Sequence, residues 1–153
     1  MHFFVLILAL LLTTGCTVNS VGETFDDSRN ESLAKKRVRE ANAELAKANI
    51  NVTSFDGIVL LTGQVSSADL IPIASAQVAP LRNVRKVHNE LTVAGKTSYL
   101  SRTNDSWLTT KVKSAMAAAE SADSTRIKVV TENGVVYLMG LVTREEADAD
   151  VQR

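Results

Sequence analysis

Two stretches of this chain repeat one alternation of apolar and polar positions. Residues 50 to 65 read INVTSFDGIVLLTGQV, and residues 127 to 142 read IKVVTENGVVYLMGLV. At an offset of 77, Ile50, Val52, Gly57, Val59, Leu61, Gly63 and Val65 meet Ile127, Val129, Gly134, Val136, Leu138, Gly140 and Val142. Apolar residues at period two predict half-buried strands. Asp56-Gly57 and Asn133-Gly134 interrupt them with residues that tolerate positive φ at both centres of a type I′ turn. Each stretch is therefore predicted to be a β-hairpin. Gly63 and Gly140 fall late in the second strand, where a bulge or a close backbone approach calls for glycine.

Helical periodicity brackets the hairpins. Ala34, Val38, Ala41, Leu45 and Ala48 form one stripe before the first, with Lys35, Lys36, Arg39, Glu40 and Glu44 on other faces. Leu108, Val112, Ala115, Met116 and Ala119 form the stripe before the second, with Asn104, Asp105 or Ser106 as its cap. After the hairpins, Ser66 to Asp69 and Thr143 to Glu146 occupy matching positions, each with a hydroxyl placed to cap a helix; the second is a full capping box. Pro72 predicts a kink or a displaced start in the first of these helices. Val87, Leu91 and Val93 then alternate with polar residues as a third strand. The first unit reads helix, hairpin, helix, strand. By the offset, Val93 maps onto position 170, beyond Arg153, so the second unit is expected to lack its last strand and part of a helix.

The amino terminus has a different character. Phe3 to Leu12 contains no polar residue. Such a run is too short for a transmembrane helix, which needs about 20 residues, and suits the apolar region of a signal peptide. Thr13-Thr14-Gly15 leads into Cys16, the single cysteine of the chain, which rules out an internal disulfide. Residues 16 to 30 are polar and without period, and read as a tether.

Lys+Arg and Asp+Glu balance at 17 each, so no global basic field favours nucleic acid. Of the two histidines, His2 lies in the signal segment and His88 is placed on the solvent side of its strand. No nucleophile with a base and no glycine-rich phosphate loop accompanies them. No catalytic activity, cofactor or metal is expected.

The order αββαβ, the paired glycines in D/N-G-x-V-x-L-x-G-x-V and the closing V-x-x-V-x-N-E-L-x-V resemble the BON domain family. Thr13-Thr14-Gly15-Cys16 is similar to a bacterial lipobox, departing from it at Thr13, where leucine is usual, and in a segment Met1-His2 without Lys or Arg. Together these resemble the dual BON-domain lipoproteins of the Gram-negative outer membrane. The resemblance implies an α+β fold of two tandem αββαβ domains, each a small three-stranded sheet packed on two helices, the second incomplete. The divisions expected are a signal peptide at 1–15, lipidated Cys16 and tether to 30, a first domain at 31–95, a linker at 96–104 and a second domain at 105–153. It further implies acylation of Cys16. With Thr17 rather than Asp next, it implies the periplasmic face of the outer membrane.

Trp107 is the sharpest candidate for binding. It lies about 100° around its helix from the apolar stripe, in line with Lys111, Ser114 and Ala118, with Lys113 nearby. A ring beside ammonium groups suits headgroup depth on an anionic phospholipid membrane, the ligand that the resemblance implies. The other reading packs Trp107 on the neighbouring domain or on residues 94 to 103. Its counterpart in the first unit is placed near Leu33. Arg82, Arg85 and Lys86 read as a solvated edge. Two functions follow: phospholipid binding in support of membrane integrity, or a scaffold for envelope assembly proteins. The oligomeric state is left open.

Overall fold

Both hairpins form where the alternation places them. A computed structural model describes residues 21–94, 99–118 and 126–141. Strands β1 (Asn49–Phe55) and β2 (Ile58–Val65) pair antiparallel, with Ile50 opposite Gly63 and Phe55 opposite Ile58. In the second unit β4 (Ile127–Glu132) and β5 (Val135–Gly140) pair in the same way. The turn residues carry positive φ at both centres, 48° and 71° at Asp56 and Gly57, 53° and 78° at Asn133 and Gly134.

The two turns differ in what surrounds them. A Cβ on Gly57 would stand 2.5 Å from the carbonyl oxygen of Asn83, whereas nothing lies within 4 Å of one on Gly134. Gly134→Ala should therefore cost only the left-handed conformation, about 1 kcal/mol. Gly57→Ala adds a backbone collision and should cost about 2 kcal/mol or more. Thermal melting of the two variants side by side checks the difference; equal losses would show that the Asn83 contact is irrelevant.

The third strand, β3 (Lys86–Val93), pairs parallel to β2, with Val59 opposite Val87 and Gly63 opposite Leu91. The sheet order is β1-β2-β3. Parallel neighbours need a crossover, and helix α3 (Leu70–Val78) supplies it. Of the two alternatives set by Pro72, the displaced start is observed. The helix begins at Leu70 rather than near the serines, so Pro72 falls in the first turn, where a missing N–H costs nothing. Asp69 makes no capping bond, and Ser66 instead donates to the Glu44 carboxylate at 3.3 Å.

The stripe before the first hairpin is not one helix. Helix α1 (Val21–Ala41) stops at Asn42, whose side-chain oxygen accepts the Glu44 N–H at 2.7 Å and so caps a short α2 (Ala43–Lys47). Ala34, Val38 and Leu45 are buried, but Ala41 is exposed because the axis changes there. At its other end α1 reaches back to Val21, into residues assigned to the tether. Val38, Leu45, Val59, Leu61, Val65, Leu70 and Val78 form the heart of the core, between the helices and one face of the sheet.

Strand β2 is buried on both faces, which one layer of helices does not explain. The second unit covers the other face. Glu132, at the end of β4, accepts from Asn51 at 2.7 Å and from Gln64 at 3.4 Å. Lys128 donates to Glu31 at 2.7 Å and to the Ser54 carbonyl at 3.2 Å.

Helix α4 (Tyr99–Ala118) packs on β4. It starts before the residues proposed as its caps and takes in most of the expected linker. Leu108, Val112 and Met116 are half-buried as the stripe requires, but Ala115 is exposed. The fold is α+β, two helix-and-hairpin units in tandem, the first with three strands and the second with two among the described residues. Ala119 and the Thr143 to Glu146 capping box lie outside the described residues.

Candidate functional site: the exposed face of the second-unit helix

An aspartate on each long helix fixes its hairpin. The Asp27 carboxylate accepts from the Ser54 hydroxyl at 2.7 Å, the Asp56 N–H at 2.7 Å and the Gly57 N–H at 3.1 Å. Asp105 accepts from the Asn133 N–H at 2.8 Å and the Gly134 N–H at 2.7 Å. A type I′ turn aims two amides outward with no strand to receive them, and a carboxylate satisfies both. Asp105, read as a possible helix cap, is instead buried beneath the turn. Its carboxylate is committed to the hairpin, five residues or more into the helix.

This pairing sets the helical register of the repeat. Asp27 and Asp105 are 78 residues apart, one more than the hairpins. Asn30, Ala34 and Val38 then correspond to Leu108, Val112 and Met116, and Trp107 corresponds to Arg29 rather than to Leu33. Glu31 and Thr109 are equivalent too: the first accepts the Ser54 N–H at 2.9 Å, and the second donates to the Thr131 hydroxyl at 2.7 Å.

With the register fixed, α4 turns Leu108, Val112 and Met116 inward, and Trp107 is left 60% exposed. The ammonium of Lys111 sits 4.6 Å from the centre of its ring. Such a cation–π contact is worth about 0.5–1 kcal/mol at an exposed site. Lys113, Ser114 and Ala118 are exposed as well. Every candidate on this helix is thus accessible, and Trp107, Lys111, Ser114 and Ala118 share a face. Cys16 lies outside the described residues. His88 is exposed on the sheet side away from the helices.

Sequence reasoning missed a cleft of about 720 Å³ where β5 meets the first sheet, walled by Ile58, Leu60, Tyr137, Leu138 and Met139 with His88 and Glu90 at its edge. Burial first, then the Glu90 and Glu132 carboxylates, pushes the Tyr137 hydroxyl above its ordinary value of 10.0. The alternation of each strand marks which residues share a face, but not that the faces of two units meet. Among the described residues no group of His, Cys, Asp or Glu could hold a metal ion, and no helix is long and apolar enough to cross a membrane.

A hairpin on a long helix, repeated with a helix aspartate bound to the amides of each turn, defines the class. The model of the BON domain matches residues 26–95 and 104–151, and the chain belongs to this family. It is 38% identical over 130 residues to "Outer membrane lipoprotein DolP" of Haemophilus influenzae, and 34% identical over 131 residues to "21 kDa hemolysin" of Actinobacillus pleuropneumoniae. Each match covers 85% of this chain and 67% of the relative. Within the family the chain is an outer-membrane lipoprotein, lipid-anchored at the periplasmic face.

Proposed function

We propose that this protein binds anionic phospholipid and supports outer-membrane integrity, attached through acyl chains on Cys16. The reading rests on one observation: Trp107 stands exposed on α4 with Lys111 over its ring, while the core side of the helix is occupied without it. Trp costs much to leave in water, and its amphipathic ring is stable at headgroup depth. A lipid phosphate would draw Lys111 off the ring and free that face to insert. Lys111 and Lys113 would each contribute about 1 kcal/mol near an anionic surface.

Two outcomes are expected. Cys16→Ser should abolish incorporation of labelled fatty acid and release the protein from the membrane; label persisting in the variant would sink this attachment. In vesicle binding, charge attraction is screened by salt and ring insertion is not. Trp107→Ala should therefore weaken binding to anionic vesicles at every salt concentration, and Lys111→Ala chiefly at low salt. Tryptophan emission should shift to the blue as vesicles are added. No shift, together with binding indifferent to Trp107→Ala, would overturn the lipid surface. The face would then belong to a protein partner, as a scaffold for envelope assembly requires.

A further inference from the structure

The bonds between the two units lie to one side of the cleft. Glu132 and Lys128 of β4 reach Asn51 and Ser54 of β1 and Gln64 at the far end of β2. The cleft of about 720 Å³ opens beyond them, between β5 and the strands β2 and β3. Its walls are apolar, with Ile58 and Leu60 from the first unit and Leu138, Met139 and Leu141 from the second. Leu138 and Leu141 are each 39% exposed, so an apolar body seated there would take their surface out of water. The volume suits a single small molecule.

The charged groups decide which kind of molecule. No Lys or Arg lines the cleft, although the chain carries as many basic as acidic residues. Two carboxylates do, those of Asp56 and Glu90. Arg85 engages Asp56, whereas Glu90 has no ion-pair partner among the described residues. Glu132 adds to this field. It is only 9% exposed, and its partners Asn51 and Gln64 are neutral amides, so its charge is not met by a cation either. Burial first, then these two glutamates, hold the Tyr137 hydroxyl above its ordinary value. Apolar walls, an aromatic ring and uncompensated carboxylates together complement a cation with an apolar body.

We infer that this cleft binds a small organic cation, an amine or quaternary ammonium on an apolar body. Glu90 receives the charge, and Ile58, Leu60 and Met139 cover the body. Trp107 and Lys111 do not line the cleft, and the site stands or falls without the lipid surface.

The test compares three probes that share one octyl chain: octyltrimethylammonium, octanol and octanoate. Each is added to the full chain with its methionine methyl groups isotope-labelled. The Met139 methyl resonance should shift saturably with the ammonium, less tightly with octanol and least with octanoate. In a Tyr99→Phe background Tyr137 is the single tyrosine, and its ionisation can be followed by absorbance. A bound cation favours the phenolate, so the ammonium should bring the hydroxyl back toward 10.0 and octanol should not. Glu90 is exposed, so its replacement leaves the core intact. Glu90→Gln should weaken the ammonium about threefold or more and leave octanol unchanged. Glu90→Lys should reverse the order in favour of octanoate. Equal affinity for the three probes, no Met139 shift with the ammonium, or ammonium binding unaltered in both Glu90 variants overturns the site.

Discussion

Gly63→Ala should be the most damaging single methyl group that can be added to the first unit. Gly63 sits at φ 120°, late in a strand buried from Val59 to Val65, and its partner in the register is Ile50. A Cβ there would come within 1.9 Å of the Asn49 carbonyl oxygen. That oxygen belongs to the backbone of the paired strand and cannot rotate away. Strain at such a φ costs about 1–3 kcal/mol and overpacking a similar amount, so the variant should lose about 3 kcal/mol or more. The melting temperature should fall on the order of 10 °C or further. A variant that melts within a degree or two of the parent would mean that β1 and β2 do not approach as described. Of the two reasons that sequence offers for a late-strand glycine, close approach is the one realised.

Asp27→Ala should come second, through a different mechanism. Its carboxylate receives two turn amides and a buried hydroxyl. Hydrogen bonds to a charged acceptor contribute about 1.5–3 kcal/mol each, less where water can enter after the deletion. A net loss of about 3 kcal/mol is expected, with the amides of Asp56 and Gly57 losing protection from hydrogen exchange before the rest of β2. Asp27→Asn keeps one acceptor oxygen and should recover part of the loss. If Asn and Ala proved equally harmless, the turn would be standing without its helix.

The hairpins and the third strand were legible because their residues alternate, and alternation is a direct image of burial on one face. The turns were legible because few residues accept positive φ. What the chain concealed follows from the same physics. The start of α1 at Val21 and of α4 at Tyr99 lies in segments whose sequence carries no apolar period to read. The break at Asn42 leaves no mark in the stripe because Leu45 stays in phase with Val38 across it. The aspartates under the turns escaped notice because the helical repeat runs one residue out of step with the hairpins, so that Asp105 aligns with Ser28 at the offset of 77. Trp107, Lys111, Lys113, Ser114 and Ala118 are all exposed, and the exposure of Trp107 is legible because an apolar stripe defines its own opposite. The burial of Asn30 could not be read, because an asparagine among charged residues announces nothing about which way it faces.

The joint between the two units has a consequence for assembly. At the hairpin offset, Asn51 of the first unit has Lys128 as its counterpart, and Glu132 has Phe55. The joint uses Asn51 and Ser54 from one copy against Glu132 and Lys128 from the other. The duplicated halves have therefore diverged into unlike, mutually fitting surfaces rather than keeping one self-complementary patch. Two first units brought face to face would set neither carboxylate nor ammonium against Asn51 and Ser54. Such a heterologous contact fixes which half meets which, and because both halves lie on one polypeptide it closes on itself instead of propagating from molecule to molecule.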